Sequence, residues 1–439
     1  MTASLVLTRN RQVYRQHLAN GITLLVTENP AADIISARMF LKAGSRWDAA
    51  PQAGLSNLVA SVLTKGSAQY SSLEIAAQVE SVGASLGTDA AADYFLINVK
   101  TVSQDFPAIF KLAGEVMRHP TFPESEIELE KRLTLQSIRS RREQPFNVAL
   151  EHLRQIMYGE HPYALSTLGS EATVAELTRD DLVQYHQQFF RPDRLVISIA
   201  GRIDGPSAAA LVETVLGDWQ VSTDATSPNP AAPATQPNRK IIAQETQQSI
   251  VMLGYLAPAV PTGMNADGTI DTTAATDYVA LKLLNTYLGS GLSSRLFVEL
   301  REKRGLAYEV SAFYPTHLDP AQFVAYMGTA PDNTQTALDG LHTEIDRLVQ
   351  NPLSDTEVQN AKNKFLGQYA LGKQTNAQIA QAFGWYESVG LGLGFDASFP
   401  EQIAALTPTQ IQTAAKNHLQ TPYISILGPD AIVNNLKYP

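Results

Sequence analysis

The 439-residue sequence contains no cysteine, which excludes disulfide bonds and thiolate metal ligands. No apolar run is long enough to cross a bilayer, and the N-terminus shows no convincing secretory signal. Cationic blocks are also missing, since 33 Lys and Arg stand against 43 Asp and Glu, giving a net charge of −10. That balance argues against nucleic acid and anionic membranes as main partners. We expect a cytoplasmic protein, or one of an organelle stroma or matrix.

The composition that is present describes a foldable chain of several domains. Hydrophobic residues make up 44% and charged residues 17% of the sequence, which is typical of a globular protein. A length of 439 residues favours two or three domains over one core. Residues 221–240 are rich in Pro, Ala, Ser and Thr without periodicity, and indicate a linker. The predicted domains are therefore residues 1–220 and 241–439.

The two halves of the sequence contain the same predicted turns, helices and strands in the same order. A proline turn followed by a charged amphipathic helix occurs at His119–Leu133 and again at Asn351–Phe365. An N-capped helix that leads through a proline into a strand ending at glycine occurs at Leu177–Gly201 and again at Leu406–Gly428. Self-similarity in a fixed order over about 200 residues indicates two tandem homologous domains rather than a solenoid.

Side-chain periodicity predicts an α+β fold in each half. Alternating β-branched and aromatic residues predict strands at Ile22–Thr27, Ser36–Ala43, Tyr94–Val99, Leu195–Ala200, Ile250–Tyr255, Tyr308–Tyr314, Phe323–Gly328 and Ile424–Leu427. Helical periodicity predicts helices at Leu73–Gly83, Asp105–Met117, Glu124–Arg142, Asn147–Met157, Asp332–Val349 and Asp355–Leu371. Because strands outnumber a regular βαβ alternation, a mixed or antiparallel sheet with helices on one face fits best.

The segment Gly54–Gly66, GLSNLVASVLTKG, predicts an amphipathic helix with one buried face. Its framing by Gly-Leu and Lys-Gly resembles the zinc helix of the pitrilysin/insulinase-type metallopeptidases, the inverted zincins, which carries His-X-X-Glu-His. The resemblance covers nearly the whole chain. It implies two homologous α+β domains that form half of a clam-shaped chamber.

At the metal positions the sequence departs from that family. The first-ligand position holds Asn57, the general-base position Ala60 and the second-ligand position Ser61. The third ligand of the family, a glutamate on a later helix, matches Gln136 or Ser137. An amide and hydroxyls are poor zinc ligands, and alanine cannot transfer a proton. No two of the eight histidines lie three or four residues apart, so we predict no metal site in this chain.

The second half retains a different part of the family pattern. Residues 288–310, LGSGLSSRLFVELREKRGLAYEV, resemble the second-domain signature of the mitochondrial-processing-peptidase branch. In that branch an arginine and a tyrosine seven residues apart reach substrate at the zinc, and here they match Arg301 and Tyr308. A guanidinium can hold a peptide carbonyl, and a phenol can donate to an oxyanion. Arg301 as a helix-end cation and Tyr308 as a packing residue is the alternative, but the match of the surrounding segment favours the functional interpretation.

The turn that precedes this signature supplies the remaining candidate residues. The segment LGSGLSS lacks the lysine and the spacing of a P-loop, and we interpret it as a turn entering a helix at Leu292–Glu302. In the processing-peptidase relatives the equivalent region borders the substrate. The resemblance therefore makes Gly289, Gly291 and Ser293 candidate substrate-binding residues.

The resemblance implies a division of labour between two chains. This chain would be the non-metal-binding subunit of a heterodimeric zinc peptidase, inactive alone, with zinc held by a homologous partner that has an intact His-X-X-Glu-His. The substrate would be a peptide or an unfolded presequence. Two alternatives remain open: a structural core protein of a respiratory-type complex, and a peptide-binding homodimer.

Overall fold

A computed structural model describes residues 2–8, 11–221, 231–233, 236–261 and 272–437. The strands are β1 Thr2–Leu7, β2 Gln12–His17, β3 Thr23–Glu28, β4 Ile35–Leu41, β5 Ser85–Ala90, β6 Phe95–Thr101, β7 Leu195–Gly201, β8 Arg239–Ala243, β9 Ser249–Ala257, β10 Glu309–Phe313, β11 Ala321–Thr329 and β12 Tyr423–Gly428. The helices of the first half are α1 Leu55–Val62, α2 Ser72–Ser81, α3 Phe106–Arg118, α4 Glu124–Arg142, α5 Pro145–Tyr158, α6 Glu171–Glu176, α7 Arg179–Phe189 and α8 Gly205–Leu216. Those of the second half are α9 Thr272–Gly289, α10 Thr334–Gln350, α11 Asp355–Leu371, α12 Asn376–Ser388, α13 Phe395–Ala405, α14 Pro408–His418 and α15 Asp430–Val433, with a π-helix at Phe297–Glu302.

The strand order confirms the duplication. The first sheet has the order β1-β2-β3-β7-β4-β6-β5 and the second β10-β11-β9-β12-β8. Read from its other edge, the second sheet repeats the order of the first from β3 to β5. Each sheet has a parallel pair at the corresponding place, β3 with β7 and β8 with β12, and its other strand pairs are antiparallel. The predicted mixed α+β fold is thus confirmed, and the β1–β2 hairpin extends the first sheet beyond the repeated part.

The described residues form two compact units that are discontinuous in sequence. The first comprises residues 1–138, 166–230 and 370–397, and the second 139–165, 231–369 and 398–439. The predicted ranges 1–220 and 241–439 stay a prediction about the sequence repeat. Most of the predicted linker, residues 222–230 and 234–235, lies outside the described residues, and strand β8 begins at Arg239 within its range.

Each sheet is covered by a helix from the opposite half of the sequence: α12 covers the first sheet, and α5 covers the second. Helix α12 packs on β4 and β7 so closely that a Cβ at Gly384 would lie 2.5 Å from the ring of Phe40. Helix α5 packs on β9 and β12, where a Cβ at Gly254 would meet Met157 Sδ at 2.7 Å. Ser425 Oγ also donates to the Ala149 carbonyl at 2.8 Å. Glycines at these crossings allow close helix–sheet contact.

The predicted secondary structure agrees with the observed elements at most positions. All eight predicted strands and six predicted helices are present, with ends within two residues. Several helix starts follow the expected capping chemistry, for example the reciprocal Ser71–Glu74 capping box of α2. Two differences concern the candidate site. Helix α1 ends at Val62 rather than Gly66, and the helix predicted at Leu292–Glu302 becomes a π-helix from Phe297.

Among the described residues, no helix is both long and apolar enough to span a membrane.

Candidate functional site

Helix α1 is held in place by a glycine and a buried carboxylate at its N-terminus. Gly54 has φ +96°, and a Cβ there would lie 2.6 Å from the Leu168 carbonyl oxygen, so this position requires glycine. Asp48 accepts hydrogen bonds from Ser56 Oγ at 2.9 Å and from Ser56 N at 3.3 Å. Together they fix the start of the helix that carries the first two degenerate metal positions.

The side chains at the degenerate metal and base positions are engaged in local structure. Ser61 Oγ donates to the Asn57 carbonyl at 3.1 Å, and both residues are half-buried on one face of α1. Ala60 is buried, and its carbonyl accepts from Thr88 Oγ1 at 2.6 Å. On α4, the exposed Ser137 donates to the Leu133 carbonyl at 2.9 Å. None of these side chains is an imidazole or a carboxylate, so this set lacks the donors that zinc prefers.

An ion pair connects the two helices that carry these positions. Lys65 Nζ, just beyond α1, lies 3.1 Å from Glu130 Oε1 of α4, and both side chains are partly buried. Lys65 lies in the turn that follows α1, and Glu130 precedes Ser137 by about two turns of α4. The pair therefore connects the C-terminal end of α1 to the helix that carries the third metal position. Sequence analysis missed it, because periodicity does not show which charges of two helices meet.

Elsewhere, histidines pair with single carboxylates. His161 Nε2 lies 3.1 Å from Asp319 Oδ2, and His418 Nε2 lies 2.9 Å from Asp277 Oδ2. Within the described ranges, no group of three or more His, Cys, Asp and Glu side chains could hold a metal ion.

Burial gives Asp48 an unusual titration. Its side chain is only 5% exposed, and desolvation raises the pKa of the carboxyl to about 7 despite the hydrogen bonds from Ser56. The folded protein therefore keeps a proton on Asp48 at pH values where the unfolded chain has lost it.

We expect Asp48→Asn to flatten the pH dependence of stability. Because the pKa of Asp48 rises on folding from 3.8 to about 7, the wild-type free energy of unfolding decreases as pH rises between these values. The amide keeps an acceptor for Ser56 but cannot ionise, so stability at pH 8 relative to pH 4 should improve by up to about 4 kcal/mol. Urea unfolding at both pH values measures this. The exposed Asp33→Asn is the control, and parallel wild-type and Asp48→Asn profiles would contradict the prediction.

Arg301 lies on the π-helix of the second unit. Lys303 N donates to the Val298 carbonyl, five residues back, at 3.0 Å, which widens this turn relative to an α-helix. The Arg301 side chain is exposed, and its guanidinium carbon lies 5.1 Å from the centre of the Phe297 ring. Among the described residues no side-chain hydrogen bond or ion pair engages it. The guanidinium donors therefore remain available to a ligand.

Tyr308 follows a tight reversal after the π-helix. Leu306 N donates to the Leu300 carbonyl at 3.0 Å, and Gly305 between them has φ +63°. Tyr308 N then donates to the Gly328 carbonyl at 2.9 Å, which aligns the residue with β11. Its side chain is 64% exposed, a high value for an aromatic residue. Both Arg301 and Tyr308 therefore point into solvent within the same unit.

The predicted substrate-binding turn is shaped by close backbone contacts. A Cβ at Gly289 would lie 2.1 Å from Ala312 N, and Gly291 has φ +71°, so both positions need glycine. Ser293 Oγ accepts from Lys364 Nζ at 3.2 Å. Ser293 and Lys364 also line a cavity of about 340 Å³. A role of the three residues in substrate binding stays a prediction.

The fold and the altered helix α1 together describe a two-domain peptidase-like chain whose metal and base positions carry other residues. A family model described as "Insulinase (Peptidase family M16)" matches residues 23–171, and one described as "Peptidase M16 inactive domain" matches residues 176–365. The chain belongs to the M16 peptidase family, as an inactive member whose α1 lacks the zinc-binding and general-base residues.

Curated relatives and solved structures support the same assignment. The "Uncharacterized zinc protease YmxG" of Bacillus subtilis is 26% identical over 371 residues, 84% of this chain and 87% of that protein. The "Uncharacterized zinc protease SCO5738" of Streptomyces coelicolor is 24% identical over 432 residues, 95% of this chain and 90% of that protein. A crystal structure of a peptidase M16 inactive domain from Pseudomonas fluorescens has a TM-score of 0.85 at 25% identity, covering 97% of this chain and 100% of that one. A Helicobacter pylori protease shares the fold at TM-score 0.87 and 18% identity, covering 96% and 100%.

Proposed function

We propose that this chain is the non-metal-binding subunit of a heterodimeric zinc peptidase of the processing-peptidase type. It contributes Arg301 and Tyr308 to peptide bound at the zinc of a homologous partner that has an intact His-X-X-Glu-His. The substrate is an extended peptide or an unfolded presequence.

The observation that carries this proposal is the contrast between the two sets of site residues. The positions that would bind zinc and activate water hold Asn57, Ala60, Ser61 and Ser137, whose contacts are local. Arg301 and Tyr308 are present and exposed. Both side chains carry hydrogen-bond donors and neither is buried by packing within its own chain. Their donors can therefore contact a group on another molecule.

The chemistry of the pair suits peptide hydrolysis in trans. Arg301 offers parallel donors to a peptide carbonyl, which orients the scissile bond for attack. The Tyr308 hydroxyl can donate to the oxyanion of the tetrahedral intermediate, where charge develops. The partner supplies zinc and the general base, so neither chain alone has the full set.

A native purification of this chain tests the proposal. We expect a homologous chain of similar size to co-purify with near-stoichiometric zinc, measured by metal analysis and mass spectrometry. The Arg301→Ala and Tyr308→Phe chains should recover the same partner, since assembly does not depend on them. Recovery of this chain without any zinc-bearing homologue, whether alone or as copies of itself, or its co-purification with respiratory subunits, would overturn the proposal in favour of a binding or scaffold protein.

A further inference from the structure

The β1–β2 hairpin ends the first sheet in an unusual edge strand. Strand β1 lies outside the repeated part of the fold and pairs with β2 on one side. Its residues 3, 4, 5 and 7 are exposed, so side chains on both faces of the strand reach solvent. The strand therefore contributes little to the core of its own chain.

This edge also lacks the features that normally prevent pairing. Its sequence TASLVL has no charge, proline or glycine, and Leu5 and Leu7 are 68% and 75% exposed. Edge strands are usually protected by charges, prolines, bulges or irregularity. The opposite edge, β5, contains Gly87 and Asp89. Of the two edges of this sheet, β1 is therefore the better suited to pair with a further β-strand.

The hydrogen bonds of the hairpin show which backbone groups of β1 face outward. Thr8 N donates to the Arg11 carbonyl at 2.8 Å and marks a hydrogen-bonded pair at the end of the hairpin. Because such pairs alternate along an antiparallel ladder, the N–H and C=O groups of Ala3, Leu5 and Leu7 point away from β2. Their side chains share one face of the sheet.

We propose that a second copy of this chain pairs with β1 along this edge, antiparallel and about a twofold axis at Leu5. In this register Leu5 faces Leu5 of the second copy and Ala3 faces its Leu7, so all outward backbone groups pair in about six hydrogen bonds. The paired side chains form an apolar ladder on one face. Each copy uses its edge once, so association closes at two copies.

Two features favour a second copy over an unrelated strand. A twofold axis requires that the same residues of the two copies pair with each other. The odd-numbered residues of β1 meet this condition, because their outward backbone groups can pair with those of a second copy and their side chains are apolar on both sides. The strand has no charged residue, so two identical edges meet without like charges facing each other. On the same face of the sheet, Leu5, Tyr14 and Val26 line an open groove of about 1000 Å³, together with the charged Arg11, Glu28 and Asp204.

The net charge of the chain sets the expected strength of this dimer. Each copy carries a net charge of −10, which opposes association until salt screens it. A short interface of apolar ladder and backbone bonds is at the weak end of specific contacts. We expect reversible dimerisation at micromolar concentrations that strengthens as salt rises from 50 to 500 mM.

Single cysteines test the register directly, because the natural chain has none. A hydrogen-bonded antiparallel pair has Cα atoms about 5.5 Å apart, within disulfide range. Leu5→Cys should therefore give a covalent dimer under mild oxidation. Leu7→Cys, displaced by four residues from its own copy in this register, should cross-link at least ten-fold more slowly. Leu73→Cys on α2, 82% exposed, is the surface control.

Sedimentation of the full-length chain completes the test. We expect a monomer–dimer equilibrium for the 47.7 kDa chain, and at least a ten-fold higher dissociation constant for Leu5→Lys, which places two ammonium groups opposite each other. Leu73→Lys should leave the equilibrium unchanged. A monomer at all concentrations, an open polymer, or equal cross-linking of the three cysteine variants would overturn the proposal, as would Leu5→Cys cross-linking to a different chain.

This inference stands apart from the proposed function. The edge belongs to the first compact unit, whereas Arg301 and Tyr308 belong to the second. Leu5→Lys should therefore leave recovery of a zinc-bearing partner intact, and Arg301→Ala should leave the Leu5→Cys cross-link intact.

Discussion

Replacing Arg301 by alanine should reduce kcat/KM of the proposed heterodimeric peptidase by about 10²-fold, because the peptide carbonyl is no longer oriented for attack. Tyr308→Phe deletes the hydroxyl that would donate to the oxyanion and keeps the ring, and we expect a loss of about 10²–10³-fold, the effect of removing one transition-state donor. Both side chains are exposed. Their replacement should therefore change the free energy of unfolding by less than about 0.5 kcal/mol.

Steady-state kinetics on a quenched peptide, with both chains at fixed concentration, checks this result. Lys303→Ala is the matched control, since it removes an exposed cation two residues from Arg301 that pairs with Glu299 at 2.8 Å. It should retain activity within about two-fold. Co-purification at wild-type stoichiometry shows that assembly is intact. Full activity of both Arg301→Ala and Tyr308→Phe would contradict the proposal that these residues act on peptide bound at the zinc of a partner chain.

The second large effect is a gain of metal binding. We expect the combined variant Asn57→His, Ala60→Glu, Ser61→His and Ser137→Glu to bind one zinc ion, whereas the wild-type chain should bind none. Positions 57 and 61 lie one turn apart on one face of α1, where two imidazoles can share a metal. The Lys65–Glu130 ion pair at 3.1 Å connects the turn after α1 to α4, the helix that carries position 137.

Zinc titration with a chromogenic chelator, combined with thermal unfolding, measures this gain. Without metal the variant should be less stable than wild type, because Ala60 is 4% exposed and a glutamate there would be buried. Zinc at 1,000 times its dissociation constant should then add about 4 kcal/mol. The same variant with Ser137 retained lacks one ligand and should bind at least ten-fold more weakly. Equal zinc content in both variants and wild type would refute the expected geometry.

The sequence predicts the elements of this fold better than their partners. Strands such as β9, Ser249–Ala257, are almost entirely apolar, and their positions follow from side-chain pattern alone. Strand β5, Ser85–Ala90, was missed because SLGTDA contains Gly and Asp and no apolar run. Strand β1 was missed because its apolar patch buries no face. Amphipathicity predicts that a helix buries one side, but not against which sheet.

The candidate site shows the same division. Residue types at Asn57, Ala60 and Ser61 suffice to predict a set without zinc donors, because ligand chemistry is a property of side chains. The π-helix that carries Arg301 could not be predicted, since the sequence FVELRE is equally suited to an α-helix. The raised pKa of Asp48 also depends on burial, which is set by tertiary packing.

The placement of helix α12 has a consequence for how the chain is made. Residues 370–397 belong to the first compact unit, and Asn376 Nδ2 donates to the Ile34 carbonyl at 2.8 Å. During synthesis, the last of strands β3, β4 and β7 is complete at Gly201, whereas the helix that covers them begins only at Asn376. At a synthesis rate of about 5–20 residues per second, the apolar face of these strands stays exposed for roughly 10–40 s until α12 has been made. The nascent chain should therefore depend on ribosome-associated chaperones, and separately expressed halves should be insoluble.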